Sequence, residues 1–233
     1  MSKGIAMSNT IITIDGPVGS GKSTIGRLLA KRLGFVYLDT GAMYRVIALE
    51  ARESGIDAAD EAALAALCHE IKISFKQSED QQLVFSSGRD VTGAIRTPEI
   101  SMLASSISAV KSVRNALVAL QREIGAHGGV VVDGRDAGTV IFPQARFKFY
   151  LDASVEIRAQ RRYKEFIEKK INIDYNNLFL DIQKRDYDDS NRTIAPLKPA
   201  PGAVIIDTSS MTREDVLKAI SLHIDLAKQP SLP

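Results

Sequence analysis

The sequence predicts an α/β fold in which a central parallel sheet of five strands is covered by helices. Short apolar runs alternate with longer stretches of helical periodicity along most of the 233 residues, a pattern typical of parallel sheets. Between the first apolar run and the first helical stretch, residues 16–23 have the spacing G-x-x-x-x-G-K-[ST]. A glycine-rich turn of this kind connects a strand to a helix in phosphate-binding folds.

The predicted strands are apolar runs bounded by polar or glycine residues. They span residues 10–14, 35–38, 130–132, 147–151 and 203–206. The predicted helices span residues 22–33, 41–53, 113–125, 155–169 and 213–226. Thr212 and Asp215 have the spacing of a capping box at the start of the last helix.

Two stretches interrupt this alternation. Residues 55–95 combine a helical segment, 61–70, with two short strand-like runs, 71–75 and 82–85, which predicts a small α+β insertion in a single domain of residues 8–233. Residues 158–192 are rich in lysine and arginine and also contain acids. Such a run forms either a solvated helix face or a helical lid, about 158–190, over a bound nucleotide.

The glycine-rich turn predicts a nucleoside triphosphate site. Its glycines let successive backbone N–H groups face a polyphosphate, and the helix that follows adds the positive end of its dipole. Lys22 can reach the β- and γ-phosphates, and the Ser23 hydroxyl can ligate the accompanying Mg²⁺. The candidate phosphate-binding residues are Gly16, Pro17, Val18, Gly19, Ser20, Gly21, Lys22, Ser23 and Thr24.

Arginine and aspartate occur together in three further segments, residues 39–45, 133–136 and 185–192. The first two follow predicted strands, where open α/β sheets bind their ligands. Guanidinium groups hold phosphate oxygens, and carboxylates accept hydrogen bonds from ribose hydroxyls and exocyclic amines. The segments therefore indicate a nucleotide acceptor, and the alternative is a set of surface ion pairs.

These segments resemble the bacterial cytidylate kinases, nucleoside monophosphate kinases among the P-loop proteins. The resemblance runs from about residue 10 to the C-terminus and includes LDTGAMYR, IRTPEIS, VVVDGRDAGTVIFP and RDYDDSNRTIAPL. It implies a P-loop kinase core whose enlarged insertion binds the acceptor. It also implies that the γ-phosphoryl group passes from ATP, with Mg²⁺, to CMP and dCMP.

The resemblance also implies roles for individual residues. Around the cytosine it places Thr40, Arg114, Asp136 and Arg192. Around the ribose it places Ser105, Arg185 and Asp189, and near the acceptor phosphate Arg45 and Arg135. Arg158 and Arg162 are four residues apart in the lid and are candidates for the ATP phosphates. The expected catalytic residues are Lys22, Arg135 and Arg185.

Composition limits the other possibilities. A net charge of +2 gives no indication of nucleic-acid binding, and the single cysteine, Cys68, excludes an intramolecular disulfide. With no apolar stretch of signal-peptide or membrane-span length, we expect a cytoplasmic protein without membrane partners. We also expect a monomer. A related kinase for another nucleoside monophosphate or for shikimate stays open as an alternative, as does a nucleotide-controlled switch protein. The lack of an N-K-x-D signature argues against a GTPase.

Overall fold

A computed structural model describes residues 9–78 and 82–226 of the chain. The strands in these ranges are β1 (Ile11–Asp15), β2 (Val36–Asp39), β3 (Ile73–Gln77), β4 (Gln82–Ser86), β5 (Arg89–Asp90), β6 (Val130–Gly134), β7 (Phe147–Asp152) and β8 (Val204–Asp207). The helices are α1 (Lys22–Leu33), α2 (Thr40–Glu53), α3 (Glu61–Glu70), α4 (Pro98–Ile107), α5 (Lys111–Ile124), α6 (Val155–Glu168), α7 (Tyr175–Asn191) and α8 (Arg213–Leu226). Among the helices of this described part, none is long and apolar enough to cross a membrane. Both ends of the predicted domain, residues 8 and 227–233, lie outside the described residues.

The chain forms two compact units. One contains the described residues up to Leu38 and from Gly125 onward, and the other contains residues 39–124. The first unit holds the predicted five-stranded sheet, whose strand order is β2-β6-β1-β7-β8. The pairs β1–β6, β1–β7 and β7–β8 are parallel. The predicted fold class is therefore confirmed.

Apolar packing on the central strand fixes where the loops of this unit begin. Ile12 and Ile14 of β1 are fully buried and pack in one cluster with Leu29 of α1. In the β1–β6 ladder the last residue of β1, Asp15, is the partner of Gly134. The loop after β1 and the segment after β6 therefore start side by side at the carboxyl edge of the sheet.

The second unit contains four helices and a small antiparallel sheet. Helix α2 packs on α4, and α3 packs on α5. The sheet order is β3-β4-β5, so the predicted α+β character of residues 55–95 is observed. Several bounds differ from prediction by one or two residues; among the largest shifts are the first strand, Ile73–Gln77 instead of 71–75, and the start of α5 at Lys111 instead of residue 113. Helix α4 was not predicted.

The basic stretch after β7 forms the helices α6 and α7. They pack on each other through a buried cluster of Ala159, Phe166, Leu178 and Ile182. This segment thus has an apolar inner face as well as its charged outer residues. Farther along, the predicted capping box of α8 is present: Asp215 Oδ2 accepts from the Thr212 N–H at 3.1 Å, and Thr212 Oγ1 accepts from the Asp215 N–H at 3.2 Å.

Candidate active site

The glycine-rich loop between β1 and α1 has a backbone conformation that depends on its glycines. Gly16 has φ +147°, and a β-carbon at this position would collide with the carbonyl oxygen of Leu151. Helix α1 begins directly after Gly21, which supplies no side-chain cap. The first N–H groups of α1 and the helix dipole are therefore presented at the loop, which is a typical anion-binding arrangement.

Lys22 lies against this loop. Its buried Nζ donates to the Pro17 carbonyl oxygen at 2.6 Å. The Ser20 hydroxyl donates to the same oxygen at 3.0 Å. Burial, together with the nearby positive charge of Arg135, lowers the pKa of Lys22 to about 7. The ammonium group thus lies in a low-dielectric position where an added anion would favour its charged form.

Two further carboxylates lie at the carboxyl edge of the sheet. Asp15 was not predicted as a site residue, and Asp133 was included only as part of the segment 133–136. Asp15 is the last residue of β1 and accepts hydrogen bonds from the N–H groups of Ala137 and Gly138. Asp133, in β6, accepts from the Tyr37 hydroxyl at 2.8 Å. The sequence did contain one indication: each acid comes at the end of an apolar run, where burying a carboxylate costs folding free energy and ligands commonly bind.

Five predicted acceptor residues of the first unit meet in a single cluster. Asp189 Oδ2 accepts from Arg135 Nε at 2.9 Å and lies 3.9 Å from Arg185 Nε. Arg192 lies 3.9 Å from Asp189 Oδ1 and 3.7 Å from Asp136 Oδ1. The structure therefore brings together Arg135, Asp136, Arg185, Asp189 and Arg192.

The cluster contains more positive than negative side chains. Three guanidinium groups surround two carboxylates, which leaves a net charge of about +1 at a largely buried position. Burial by itself would raise the pKa of Asp189, but Arg135, Arg185 and Arg192 outweigh it and hold that pKa below its ordinary value. An ionised Asp189 with excess positive charge around it suits a ligand that carries both phosphate and hydroxyl groups.

The two lid arginines have different surroundings. The guanidinium of Arg158 is almost fully buried and donates to the Val18 carbonyl oxygen at 3.1 Å, the Ala153 carbonyl oxygen at 2.8 Å and Asp186 Oδ2 at 2.5 Å. Arg162 instead pairs with Glu165 of its own helix at 2.6 Å. Of the two, Arg158 is therefore the one that contacts the glycine-rich loop, and its partner Asp186 was not among the predicted site residues.

The second unit holds the other predicted acceptor residues. Thr40 is buried at the first position of α2. Asp39 caps this helix by accepting from the Ala42 N–H at 2.8 Å, and its other oxygen pairs with Arg45 at 3.0 Å. Asp39 thus orients Arg45, a role that the sequence did not reveal although the residue stands in the quoted motif.

Arg114 and Ser105 are connected through one serine of the same unit. Arg114, buried in α5, donates to the Ser108 carbonyl oxygen at 3.1 Å, and its guanidinium carbon lies 5.8 Å from the centre of the Tyr44 ring. The Ser108 hydroxyl in turn donates to the carbonyl oxygen of Ser105 at 2.7 Å. These contacts fix the positions of the two predicted acceptor-binding residues, Arg114 on α5 and Ser105 on α4.

The groups gathered here are suited to phosphate chemistry rather than to nucleophilic catalysis. The site residues described above have arginine, lysine, aspartate and hydroxyl side chains, and none of them is a histidine. His223, for example, packs its ring against Phe149, with centroids 5.9 Å apart. In the described residues no group of three or more His, Cys, Asp or Glu side chains could hold a metal ion by itself.

Comparison with known proteins agrees with this geometry. The sequence model of the family described as cytidylate kinase matches residues 12–226. The chain is 50% identical over 214 residues to a cytidylate kinase of Enterococcus faecalis, covering 92% of this chain and 95% of that protein. It is 47% identical over 211 residues to one from Citrifermentans bemidjiense, covering 91% of each. It is 44% identical over 225 residues to one from Pasteurella multocida, covering 94% of this chain and 99% of that protein. The chain belongs to the cytidylate kinase family.

Proposed function

We propose that the chain transfers the γ-phosphoryl group of ATP to CMP, and also to dCMP, giving ADP and CDP or dCDP. The observation that carries this proposal is the phosphate loop beside the cluster of Arg135, Asp136, Arg185, Asp189 and Arg192 in a member of the cytidylate kinase family. The loop binds the donor, and the cluster offers the acceptor both cations and carboxylates.

The donor phosphates bind in the loop of residues 16–24. Lys22 moves from the Pro17 carbonyl oxygen to the β- and γ-phosphates, and a dianionic ligand raises its pKa back toward the ordinary value. Arg158 supports the loop through Val18, and Arg162 reaches the phosphates once it leaves Glu165.

Mg²⁺ fits this donor site. Mg²⁺ keeps several waters and takes few protein ligands when phosphates are present, so one hydroxyl beside the phosphate loop is sufficient on the protein side. The exposed Ser23 hydroxyl in the first turn of α1 would hold the ion. When bound, Mg²⁺ neutralises the charge that develops on the β- and γ-phosphate oxygens.

The acceptor is recognised by complementary hydrogen bonding. The carboxylate of Asp136 accepts from the cytosine N4 amine, and Arg192 and Arg114 donate to its ring acceptors, with Thr40 adding a hydroxyl. Uracil presents a carbonyl where cytosine has the amine, so Asp136 would oppose an acceptor. Ser105, Arg185 and Asp189 bind the ribose, and Arg45 and Arg135 bind the acceptor phosphate.

The transfer needs no covalent enzyme intermediate. A phosphate oxygen of CMP attacks the γ-phosphorus as the bond to the β,γ-bridging oxygen breaks, and ADP leaves with that electron pair. Lys22, Arg135 and Arg185 offset the negative charge on the equatorial and bridging oxygens. Positioning and charge neutralisation supply the catalysis.

The proposal also includes the domain bounds, the oligomeric state and the cellular location of the protein. Residues 8–233 act as one kinase domain and as a monomer in the cytoplasm, without nucleic-acid or membrane partners. The insertion, about 55–95, contributes to acceptor binding. The pair α6 and α7, which includes the predicted range of about 158–190, forms the lid over ATP.

ADP release with different acceptors tests this proposal. With ATP and Mg²⁺, CMP and dCMP should stimulate ADP formation far more than UMP, AMP, GMP or shikimate do. A turnover of roughly 1–100 s⁻¹ is ordinary for a kinase. Equal stimulation by AMP would contradict the acceptor assignment, and ADP release independent of any acceptor would favour a nucleotide-controlled switch.

A further inference from the structure

The turn that carries Asp136 is capped in an unusual way. After β6, residues Ala137–Ile141 form a π-helical turn, and Asp136 stands at its N-cap position. An aspartate in this position ordinarily caps its own turn by accepting from the N–H groups that follow it. The side chain of Asp136 makes no capping hydrogen bond here. Instead, its Oδ1 lies 3.7 Å from Arg192.

The cap comes from Asp15, which is remote in sequence. Its two carboxylate oxygens accept from the N–H groups of Ala137 and Gly138, at 2.8 Å and 2.7 Å, across separations of 122 and 123 residues. The side chain is almost fully buried at the end of the central strand β1. Both N–H groups at the start of the turn are therefore satisfied without Asp136.

The fit between the turn and β1 is close. A β-carbon on Gly138 would lie 2.8 Å from Thr13 Oγ1 and 3.3 Å from Asp15 Oδ2. Any residue larger than glycine would push the turn away from the strand. The sequence therefore combines an acid at position 15 with a glycine at position 138 so that the carboxylate can reach the turn.

A carboxylate is a costly cap at this position. Burial, with the neighbouring charges of Asp136 and Asp133, raises the pKa of Asp15 to about 7 despite the two N–H bonds. A neutral cap would hold the turn at a lower cost in stability. A buried carboxyl group in this position is explained better if it orients a site residue than if it only caps the turn.

We propose that Asp15 is a positioning residue for the acceptor base. It caps the turn in place of Asp136, and it thereby keeps the Asp136 carboxylate turned toward Arg192 and toward the cytosine amine. This inference rests on the proposed CMP phosphorylation. Without the remote cap, Asp136 would rotate back to satisfy the N–H groups of its own turn, and the base would lose its acceptor.

The test is Asp15→Asn, which preserves the shape but offers only one acceptor to two N–H groups. We expect the KM for CMP to rise roughly tenfold, because one hydrogen bond to the base is lost, while the KM for ATP changes less than about twofold. The control is Asp152→Asn at the end of the neighbouring strand β7, which should leave both KM values unchanged.

A double-mutant cycle separates positioning from general damage. In an Asp136→Ala background, Asp15→Asn should change the KM for CMP by less than about twofold, because there is no side-chain acceptor left to orient. An equal rise in both backgrounds, or an equal rise in the KM for ATP, would overturn the proposal. Should Asp15→Asn fail to fold, Gly138→Ala crowds the same contact with Asp15 in place and makes the same prediction.

The activity of the wild-type protein separates failure of this inference from failure of the proposed function. If it forms ADP with CMP and Asp15→Asn keeps the wild-type KM for CMP, this inference is wrong and the proposed function stands. If the wild type forms no ADP with CMP, the proposed function and this inference both fail.

Discussion

Replacing Asp189 by asparagine tests how the acceptor sugar is recognised. The Asp189 carboxylate lies within 2.9–3.9 Å of three arginines and is held ionised by them. The asparagine side chain would keep the shape but remove the charge. Two losses follow: a weaker hydrogen bond to the ribose, and poorer placement of the arginines that pair with the carboxylate.

The two losses differ between substrates. A hydrogen bond from the 2′-hydroxyl contributes about 1.5–3 kcal/mol with a charged acceptor and about 0.5–1.5 kcal/mol with a neutral one, and the difference of about 1–1.5 kcal/mol is roughly a 5- to 12-fold change in kcat/KM. Only CMP carries this hydroxyl, whereas misplaced arginines affect CMP and dCMP alike. We therefore expect Asp189→Asn to lower kcat/KM for CMP about five- to tenfold more than for dCMP.

Initial rates of ADP formation with each acceptor provide the assay. The control is Asp188→Asn, which changes an exposed acid one position earlier on α7 and should leave both kcat/KM values unchanged. Equal losses with CMP and dCMP would refute the ribose contact and leave Asp189 with the sole role of arranging its arginines. Unchanged kinetics would refute both.

Further predictions concern the loop, the lid, the core and pH. Lys22→Ala should lower kcat at least about a hundredfold with unchanged thermal unfolding, whereas Lys31→Ala, at the exposed end of α1, should not change kcat. Arg158→Ala should raise the KM for ATP about tenfold and lower the unfolding free energy by about 3 kcal/mol, because it breaks a buried pair and the contact with the loop. Leu29→Ala should cost roughly 2–5 kcal/mol in denaturant unfolding without changing the KM for CMP. The pKa of Asp189 is lower in the folded protein than in the unfolded chain, where it is about 4. The charge of Asp189 therefore stabilises the folded protein above about pH 4, and this stabilisation is lost as the pH falls further. Below that pH, the difference in unfolding free energy between wild type and Asp189→Asn should shrink.

The sequence predicted those parts of the fold that depend on local patterns. The five apolar runs became the five strands of one parallel sheet, and the capping box at Thr212 was found where its spacing placed it. Helix α4 was missed although Thr97 caps it and Pro98 opens it. Three of its ten positions, 101, 105 and 106, are serines, whose hydroxyls compete for backbone hydrogen bonds and weaken the helical propensity.

Local sequence patterns did not predict contacts between residues that are far apart in the sequence. The spacing of Arg185 and Asp189 predicted their proximity on one helix, and they lie 3.9 Å apart. The bond from Arg135 to Asp189 spans 54 residues, and the one from Ala137 to Asp15 spans 122. Such pairs depend on strand order and register, which a single sequence does not determine. Asp15 and Asp186 were missed for this reason.

The fate of the γ-phosphoryl group tests the central claim most directly. The chain is incubated with γ-³²P-labelled ATP, Mg²⁺ and CMP, and nucleotides and protein are separated after quenching during turnover. We predict that the label appears in CDP in step with ADP formation, with none bound to the protein. Label in inorganic phosphate instead of CDP, or label retained on the protein as an intermediate, would contradict direct transfer between the two nucleotides.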